Sequence, residues 1–364
     1  MSIKRIGITT GGGDAPGLNA VIRAVTLAAL KRGWECVGIR SGYDGIMHPE
    51  QFPQGGTIPL DADAVRGIAH TGGTILGTTN RGNPFSYEVE QPDGSIKKVD
   101  ISDRLVDGFK KAELDALVAI GGDGSMAIAC ETAKLGIRVV GVPKTIDNDL
   151  AGTTSTFGFD TAVSFATEAI GRLHSTASAH RRVMVVECMG RHAGWIALHA
   201  GIAGSADVVL IPEIPFDIDK VAEKIEQRNK NNRHFSIVCV AEGATPIGGE
   251  EIYQEEGGVK RLGGIGEWVT ESLRSRVSNE VRCVVLGHLL RGGNPTARDR
   301  LLSLRFGAAA VRALEQGESN VLVALDPPTV KYIPLEECTK ELNLVPTECD
   351  TILTARDLGT CLGD

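Results

Sequence analysis

Short apolar runs alternate with Gly-rich polar stretches through most of the chain. Runs of roughly 4–8 apolar residues predict buried strands, and apolar residues three or four positions apart predict helices. Two such runs, 114–120 and 138–142, flank a helical pattern over 126–135. This order predicts a βαβ unit, whose right-handed crossover places the loops after both strands at one edge of a parallel sheet. Ligands bind at that edge in open α/β sheets.

The same patterns predict the remaining elements. Further strands are expected at 3–8, 35–40, 183–188, 208–211, 235–241, 283–286 and 321–325, and further helices at 18–32, 103–111, 160–176 and around Trp268. A Pro-Asp-Gly turn predicts an exposed hairpin over 86–100, and the Gly- and Glu-rich stretch 245–264 predicts an exposed loop. The expected fold is α/β, with two doubly wound Rossmann-like domains, mainly parallel sheets and an active-site cleft between the domains.

The loop after the first central strand, 121–125, combines three glycines with Asp123 and Ser125. Glycines such as Gly122 and Gly124 let backbone N–H groups approach a bulky anion. A carboxylate beside a phosphate would repel it, so Asp123 requires a cation between the two, most simply Mg²⁺. The loop therefore predicts a site for a phosphate and a metal ion.

The loop after the second central strand, 143–149, carries two carboxylates, Asp147 and Asp149. One carboxylate can accept a proton from an attacking hydroxyl while the other holds a metal ion or orients its neighbour. Glycine amides, a metal carboxylate and a spare base together suit phosphoryl transfer to an alcohol.

Two other interpretations of the central loops are possible. Residues 122–127 fit the dinucleotide fingerprint G-x-G-x-x-A, but an NAD site would not place Asp123 against a pyrophosphate without a counter-ion. Residues 121–125 alone also fit a tight turn capped by aspartate, which leaves the second acidic loop unexplained.

Two segments before the central unit are further candidates for anion contacts. Gly12 lies in the glycine-rich turn 9–17 before a predicted helix, a natural phosphate cradle, although such turns also serve only as connections. The segment 70–85 contains Arg81 and Gly82 and fits an anion contact or a surface loop equally well. The chain has no G-x-x-x-x-G-K-[ST] string, which argues against a P-loop enzyme.

The second half of the chain concentrates arginines near predicted strand ends. These are Arg182, Arg191, Arg282 and Arg291. A surface salt bridge explains any one of them, but four in an acidic protein favour a phosphorylated substrate, because arginine binds phosphate through two hydrogen bonds at once. His288, close to Arg291, is a candidate for the same phosphate or its sugar.

Charge and composition narrow the possible partners. A net charge of −8 argues against nucleic acid as the main partner. The eight cysteines include no C-x-x-C pair, which suggests a reducing compartment without a disulfide framework or zinc site. No signal-peptide pattern or membrane-length apolar run is present in the sequence, so a cytoplasmic protein without a membrane partner is expected.

The motifs together resemble those of the 6-phosphofructokinases over nearly the whole chain. The strings TGGGDAPGLNAVIR, GGTILG, IGGDGS, PKTIDND, MGR, AEG and GHLLRGG occur in that family's order and spacing. The resemblance implies phosphoryl transfer to the C1 hydroxyl of fructose 6-phosphate. It assigns residues 1–158 with about 290–335 to a phosphoryl-donor domain. Residues 159–289 with the C-terminal tail are assigned to a fructose 6-phosphate domain.

The resemblance also implies a role for each matching residue. Donor contacts are assigned to Gly12, Arg81, Gly82, Gly122, Asp123, Gly124 and Ser125, with Asp123 as the Mg²⁺ ligand. Asp147 resembles the general base, with Thr145, Asp149 and Arg191 around the transferred group. Sugar phosphate contacts are assigned to Thr145, Ile146, Asp147, Met189, Gly190, Arg191, Glu242, His288 and Arg291.

Arg182 and Arg282 match arginines that reach the 6-phosphate from a neighbouring subunit, which implies a homodimer or homotetramer. The donor-site arginine of many members follows the GGT-x-L-G string more closely than Arg81 does. Asn80 intervenes here, so this assignment includes a one-residue slip.

Within this family, the residues at two positions indicate which phosphoryl donor is used. Gly124 is typical of ATP-dependent members, because aspartate there obstructs the α-phosphate of the nucleotide. Lys144 is typical of pyrophosphate-dependent members. We give the steric criterion more weight and expect ATP as donor, with the reversible pyrophosphate enzyme as the alternative. A non-catalytic sugar-phosphate sensor is disfavoured because Asp123, Asp147 and Arg191 are all present.

Overall fold

The computed structural model describes residues 3–256 and 259–364, and these residues form two compact units. The first unit comprises the described residues of Met1–Thr145, Leu150–Gly158 and Arg291–Glu341. The second comprises Ile146–Asp149, the described residues of Phe159–Leu290, and Leu342–Asp364. The acidic turn 146–149, which the sequence-based division assigned to the first domain, thus belongs to the second unit.

Elements of the first unit occupy the N-terminal part of the chain and return near the C-terminus. The strands are β1 Arg5–Thr10, β2 Glu35–Ile39, β3 Thr57–Leu60, β4 Tyr87–Glu90, β5 Ile96–Val99, β6 Ala116–Gly121, β7 Val139–Thr145 and β8 Phe157–Gly158. The helices are α1 Leu18–Leu30, α2 Asp44–Met47, α3 Ser102–Lys111 and α4 Asp123–Lys134, with a 3₁₀ turn at Pro49–Gln51.

Elements of the second unit follow in the chain. Its helices are α5 Phe159–His180, α6 Trp195–Ala203, α7 Ile218–Lys230 and α8 Ile265–Arg274. Its strands are β9 Val183–Cys188, β10 Val208–Leu210, β11 Ser236–Ala241, β12 Tyr253–Glu256, β13 Val259–Leu262 and β14 Val281–Val285. A 3₁₀ helix spans Gly287–Arg291. The chain then returns to the first unit with α9 Ala297–Glu315, β15 Val321–Asp326, β16 Thr329–Pro334 and α10 Leu335–Cys338. Helix α11 Asp350–Asp357 belongs to the second unit.

A mostly parallel sheet forms the centre of the first unit. Its described strands lie in the order β16-β15-β7-β6-β1-β2-β3, with β8 paired to the end of β7. The pairs from β15 to β2 are parallel, and β16 and β3 are antiparallel edge strands. In β6, Ala116, Val118 and Ile120 face one core and Leu117 and Ala119 face the other. Such two-sided burial explains why the strand is a continuous apolar run.

Helices cover both faces of this sheet. Helix α1 packs its apolar residues, which include Leu18, Ile22 and Val25, with α9 on one face. The two helices approach closely at Gly307, where a Cβ atom would lie 2.7 Å from the carbonyl oxygen of Val21. Helices α3 and α4 bury Leu105, Phe109 and Met126 on the other face, as the sequence pattern predicted.

The second unit contains a parallel sheet of β10-β11-β9-β14. Valines of β9 and β11 pack on α7 and α8, whereas α5 and α6 contact the same strands as well. The alternate residue Cys239 faces α6, because its Sγ lies 3.5 Å from the carbonyl oxygen of Ala197. In the part of the chain that the structure describes, no helix is both long and apolar enough to cross a bilayer.

Two sequence-based expectations need correction. The central strand expected to end at Val142 continues as β7 through Thr145, and Pro143 pairs with Gly121 of β6. Residues 245–264 were expected to form a loop, but their described part contains the antiparallel pair β12–β13; residues 257–258 lie outside the described residues. Strand β16 was not predicted, because its sequence alternates weakly at an exposed edge.

Candidate active site

The glycine-rich loop after β1 is held by two neighbouring loops of the first unit. Gly11 N–H donates to the carbonyl of Ile120 at 2.9 Å, and Gly12 N–H donates to the carbonyl of Thr79 at 3.1 Å. The Thr78 hydroxyl donates to the carbonyl of Gly12 at 2.6 Å. Gly12 has a φ of +76°, a left-handed conformation that favours glycine. The structure thus brings the loop containing Gly12 together with the segment that precedes Arg81.

Two cationic side chains lie against this glycine loop. The Lys144 ammonium, on a residue only 3% exposed, donates to the carbonyl of Gly13. The Arg291 guanidinium donates to the carbonyl of Asp14 at 3.3 Å and would contact a Cβ atom at Gly13. Arg291 was expected at the sugar phosphate, and the structure places it in the first unit beside this loop. Two cations beside a glycine-rich loop form a local positive region in an acidic protein, as an anion site requires.

The N-terminus of α4 forms the other side of the same arrangement. Gly122 precedes the helix, and Asp123 and Gly124 are its first two residues, both exposed. Gly121 must be glycine, because a Cβ atom there would lie 2.2 Å from Ser125 Cβ. A Cβ atom at Gly124, by contrast, would meet no atom within 4 Å. The helix N-terminus therefore presents its partial positive charge beside open space.

A cavity of about 590 Å³ adjoins Gly124. Its lining includes Phe85, Ala127, Ile128 and Lys134. Sequence analysis did not identify these residues, since an aromatic ring and small apolar side chains carry no motif. They are identified as candidates because they lie next to the N-terminus of α4, where a phosphate is expected to bind.

Arg81 and Gly82 differ in their surroundings. Arg81 is exposed, and its backbone N–H donates to the Thr79 hydroxyl at 3.1 Å. Gly82 is buried, and a Cβ atom there would lie 3.1 Å from Asp44 Oδ1. Burial raises the pKa of the Asp44 carboxyl, and the nearby His48 opposes this shift. The assignment of Arg81 to the donor stays a prediction.

The acidic turn directly follows β7 but belongs to the second unit. Ile146 is fully buried, and Asp147 and Asp149 are half-buried on either side of Asn148. Asn148 has a φ of +54°, a left-handed conformation that asparagine tolerates better than most residues. Thr145, at the end of β7, accepts a hydrogen bond through its carbonyl from the Thr156 hydroxyl at 2.7 Å.

The loop after β9 packs on the loop after β11 within the second unit. Gly190 N–H donates to Glu242 Oε1 at 3.4 Å, and Glu242 N–H donates to the carbonyl of Cys188 at 2.8 Å. Gly243 must be glycine, because a Cβ atom there would lie 1.8 Å from the carbonyl oxygen of Arg191. Met189, Gly190, Arg191 and Glu242 are thus brought together as predicted sugar-phosphate residues. The Arg191 side chain is exposed.

Arg182 and Arg282 lie at the opposite end of the second sheet. Arg182 precedes β9, and Arg282 pairs in register with Met184 near the start of the same strand. Both guanidinium groups contact the Glu280 carboxylate. Strand β9 separates them from Met189 by roughly 20 Å, at about 3.3 Å per residue. Within one chain they are therefore distant from Arg191, whereas His288 follows β14 at the same end as Arg191.

Comparison with known proteins identifies the family. The sequence profile described as Phosphofructokinase matches residues 5–314. The chain belongs to the phosphofructokinase family. The resemblance inferred from the sequence motifs is thereby confirmed.

Some relatives are named for ATP and others for pyrophosphate as the donor, and both kinds match this family member over almost their whole length. The ATP-dependent 6-phosphofructokinase of Chloroflexus aurantiacus is 53% identical over 99% of this chain and 98% of its own length. The pyrophosphate–fructose 6-phosphate 1-phosphotransferase of Amycolatopsis methanolica is 49% identical over 94% of this chain and 97% of its own. Name and identity alone therefore separate the two donors by only a small margin.

A solved structure supports the fold. The pyrophosphate-dependent phosphofructokinase of Nitrosospira multiformis superposes with a TM-score of 0.80 at 22% identity, over 100% of this chain and 93% of that one. At this identity the match concerns the fold alone. It confirms the predicted α/β class with mainly parallel sheets.

One further group of residues in this phosphofructokinase was missed by sequence analysis. His192 Nδ1 lies 3.9 Å from Glu251 Oε1, and the Tyr253 hydroxyl donates to the Glu251 carboxylate. The bond to Glu251 raises the pKa of Tyr253, and the nearby Arg191 guanidinium opposes the shift. The start of β12 therefore lies beside the loop that carries Arg191. Only contacts across more than 50 residues reveal this, so no local pattern could have predicted it.

Proposed function

We propose that this family member transfers the γ-phosphoryl group of ATP to the C1 hydroxyl of fructose 6-phosphate and releases fructose 1,6-bisphosphate and ADP. The observation that carries the choice of ATP is the open space at Gly124, at the N-terminus of α4. Pyrophosphate has no third phosphate and no nucleoside, and neither this space nor the adjoining cavity of about 590 Å³ would serve it. A relative named for the ATP-dependent activity, 53% identical, supports the reaction class.

The donor phosphates are proposed to bind at the glycine loop and the start of α4. Backbone N–H groups at Gly122 and Ser125 would approach the phosphate oxygens, and the α4 dipole favours negative charge there. Gly12, which has no side chain, would let the phosphates lie close to the glycine loop. Lys144 and Arg291 flank the same loop and would neutralise part of the charge. Arg81 and Gly82 are proposed to close the donor site from the neighbouring segment.

Mg²⁺ is proposed to bind at Asp123. In the described parts of the chain, no three His, Cys, Asp or Glu residues cluster closely enough to enclose a metal ion. One exposed carboxylate fits Mg²⁺ well, because this ion is usually held by one or two carboxylates, water and substrate phosphates. When bound, it would neutralise charge on the transferred group.

Asp147 is proposed as the general base. Its carboxylate would accept the C1 hydroxyl proton as the oxygen attacks the γ-phosphorus, so that the new O–P bond forms while the bond to the β-phosphate oxygen breaks. Asp149 and Thr145 would orient the reacting groups. Arg191 would stabilise the charge that develops on the transferred phosphoryl group.

Sugar phosphate binding is proposed for Met189, Gly190, Glu242 and His288. Arg182 and Arg282 are proposed to reach the 6-phosphate of a neighbouring subunit, because both lie at the far end of the sheet from Arg191 in their own chain. The active form would then be a homodimer or homotetramer.

A pyrophosphate-dependent phosphotransferase is the second candidate, favoured by the Amycolatopsis relative, which is 49% identical. A donor assay with Mg²⁺ and fructose 6-phosphate distinguishes the two candidates. We expect fructose 1,6-bisphosphate to form with ATP and not with pyrophosphate. Turnover with pyrophosphate alone would reject the ATP assignment.

A further inference from the structure

A short stretch near the C-terminus, residues 342–345, contacts the acidic turn; we name it the C-terminal strap. Asn343 N–H donates to the carbonyl of Asp149 at 2.8 Å. Asn343 Nδ2 donates to the carbonyl of Asn148, also at 2.8 Å. One residue of the strap therefore binds two consecutive backbone carbonyls directly after Asp147.

The conformation of the turn gives these bonds their importance. Asn148 adopts a φ of +54°, and a non-glycine residue in this region persists only where its surroundings hold it. Asp147 is joined to Asn148 by one peptide group, so holding the Asn148 backbone restricts the position of Asp147. The two bonds from Asn343 act on the backbone at this position.

The strap is fixed on its other side to the loop that carries Arg191. The indole N–H of Trp195 donates to the carbonyl of Asn343 at 2.8 Å. Val345 N–H donates to Glu213 Oε1 at 2.8 Å, and the same oxygen accepts from Gly194 N–H at 3.0 Å. Gly194 ends the loop that follows β9, and Trp195 is the first residue of α6.

We propose that the C-terminal strap positions the Asp147 turn relative to the Arg191 loop, with Asn343 as a positioning residue for phosphoryl transfer. This inference rests on the proposed role of Asp147 as the base. Both loops and the strap belong to the second unit, so the coupling is internal to that unit. Because the strap acts through backbone geometry, its loss should affect the chemical step and not the binding of substrates.

The test is steady-state kinetics of Asn343→Leu, which keeps the approximate side-chain size and removes the Nδ2 donor. We expect kcat to fall about 10- to 100-fold, as for other small displacements of a catalytic group. KM for ATP and for fructose 6-phosphate should stay within about twofold of the wild-type values. A kcat within about twofold of wild type in the folded variant would overturn the inference, as would an equal rise in both KM values without loss of kcat.

Lys224→Met is the matched control. It removes another side-chain donor to the C-terminal segment, from Nζ to the carbonyl of Gly359 at 2.7 Å. In this control, kcat should stay within about twofold of the wild-type value. If Asn343→Leu does not fold, Trp195→Phe is the second variant, because it removes the N–H that binds the Asn343 carbonyl and keeps an aromatic ring beside His199. It should lower kcat several-fold, and a wild-type kcat there would overturn the inference.

Asp147→Asn, measured in parallel, tests the proposed base separately from the positioning role of Asn343. If its kcat is near normal, the proposed base is wrong. If Asp147→Asn loses activity and Asn343→Leu does not, only the positioning inference is wrong.

Discussion

The choice of ATP as donor depends on one glycine, so Gly124→Asp is the most informative substitution. The structure gives no packing reason for glycine here, since a Cβ atom would meet nothing within 4 Å and Gly124 is not in a left-handed conformation. An acidic residue in the first turn of α4 interacts favourably with the helix dipole and should stabilise the helix by about 0.3–1 kcal/mol. The variant should therefore fold with an unchanged or slightly raised melting temperature.

The cost should appear with the nucleotide. Two like charges about 4 Å apart repel by ~4 kcal/mol at an effective dielectric constant of 20 and by ~1 kcal/mol in bulk water. Gly124 is exposed at the helix terminus, so the repulsion lies between these limits. At about 1.4 kcal/mol per factor of ten, kcat/KM for ATP should fall by roughly 5- to 1000-fold.

The assay compares kcat/KM for ATP and for pyrophosphate at saturating fructose 6-phosphate. Any turnover with pyrophosphate should not decrease, because that donor places no phosphate beside residue 124. Gly124→Asn is the control, since it adds the same bulk without the charge; its loss with ATP measures the steric part. If folded Gly124→Asp keeps kcat/KM for ATP within about threefold of wild type, the reasoning from space at this position is refuted.

Three other substitutions test separate steps. Asp147→Asn should lower kcat by about 100-fold or more, with KM for fructose 6-phosphate little changed, because the base acts only in the chemical step; a near-normal kcat would exclude the role. Arg182→Ala should raise KM for fructose 6-phosphate about 10- to 100-fold, which is the loss in binding expected when one charge-assisted hydrogen bond is removed. The control Arg172→Ala removes a surface ion pair with Glu168 and should leave this KM unchanged. An unchanged KM in Arg182→Ala would contradict the shared-site oligomer. Burial raises the pKa of Glu213, against hydrogen bonds from Val345 and Gly194, so the folded state holds this proton to higher pH than the unfolded chain. Its contribution to the free energy of unfolding should be complete below about pH 4.5 and be lost as pH rises through the raised pKa; urea unfolding of Glu213→Gln should lack this decrease, and an equal decrease would assign it to another group.

Much of the central architecture follows from local sequence. Strand β6 is predicted because apolar residues fill both faces of a buried parallel strand. Helix α1 is predicted because its apolar residues recur three and four positions apart. The glycine loops at Gly12 and Gly121 are found because Gly12 has a left-handed backbone and a Cβ atom at Gly121 would clash with Ser125. These features depend on a few neighbouring residues, which is why reading the chain locally succeeds.

Features that depend on distant pairing could not be predicted in this way. Proline usually ends a strand because it lacks an N–H group, yet β7 continues through Pro143 since Gly121 pairs beside it and β8 pairs with the last two residues. The contact of Asn343 with the acidic turn joins positions 195 residues apart. No local pattern marks either partner, so only the folded chain shows that the C-terminal residues reach the proposed catalytic turn.

The fold also changes how the two donor-site residues should be weighed. Lys144 is buried with its ammonium at the Gly13 carbonyl, so its charge would act on whichever phosphate lies in the glycine loop. Such a charge favours the terminal phosphates of ATP and both phosphates of pyrophosphate alike, and it does not discriminate between the two donors. The space beside Gly124 matters only to a donor that extends past its second phosphate. Only Gly124 therefore distinguishes the two donors, and the presence of Lys144 is no evidence against ATP in a chain that has glycine at position 124.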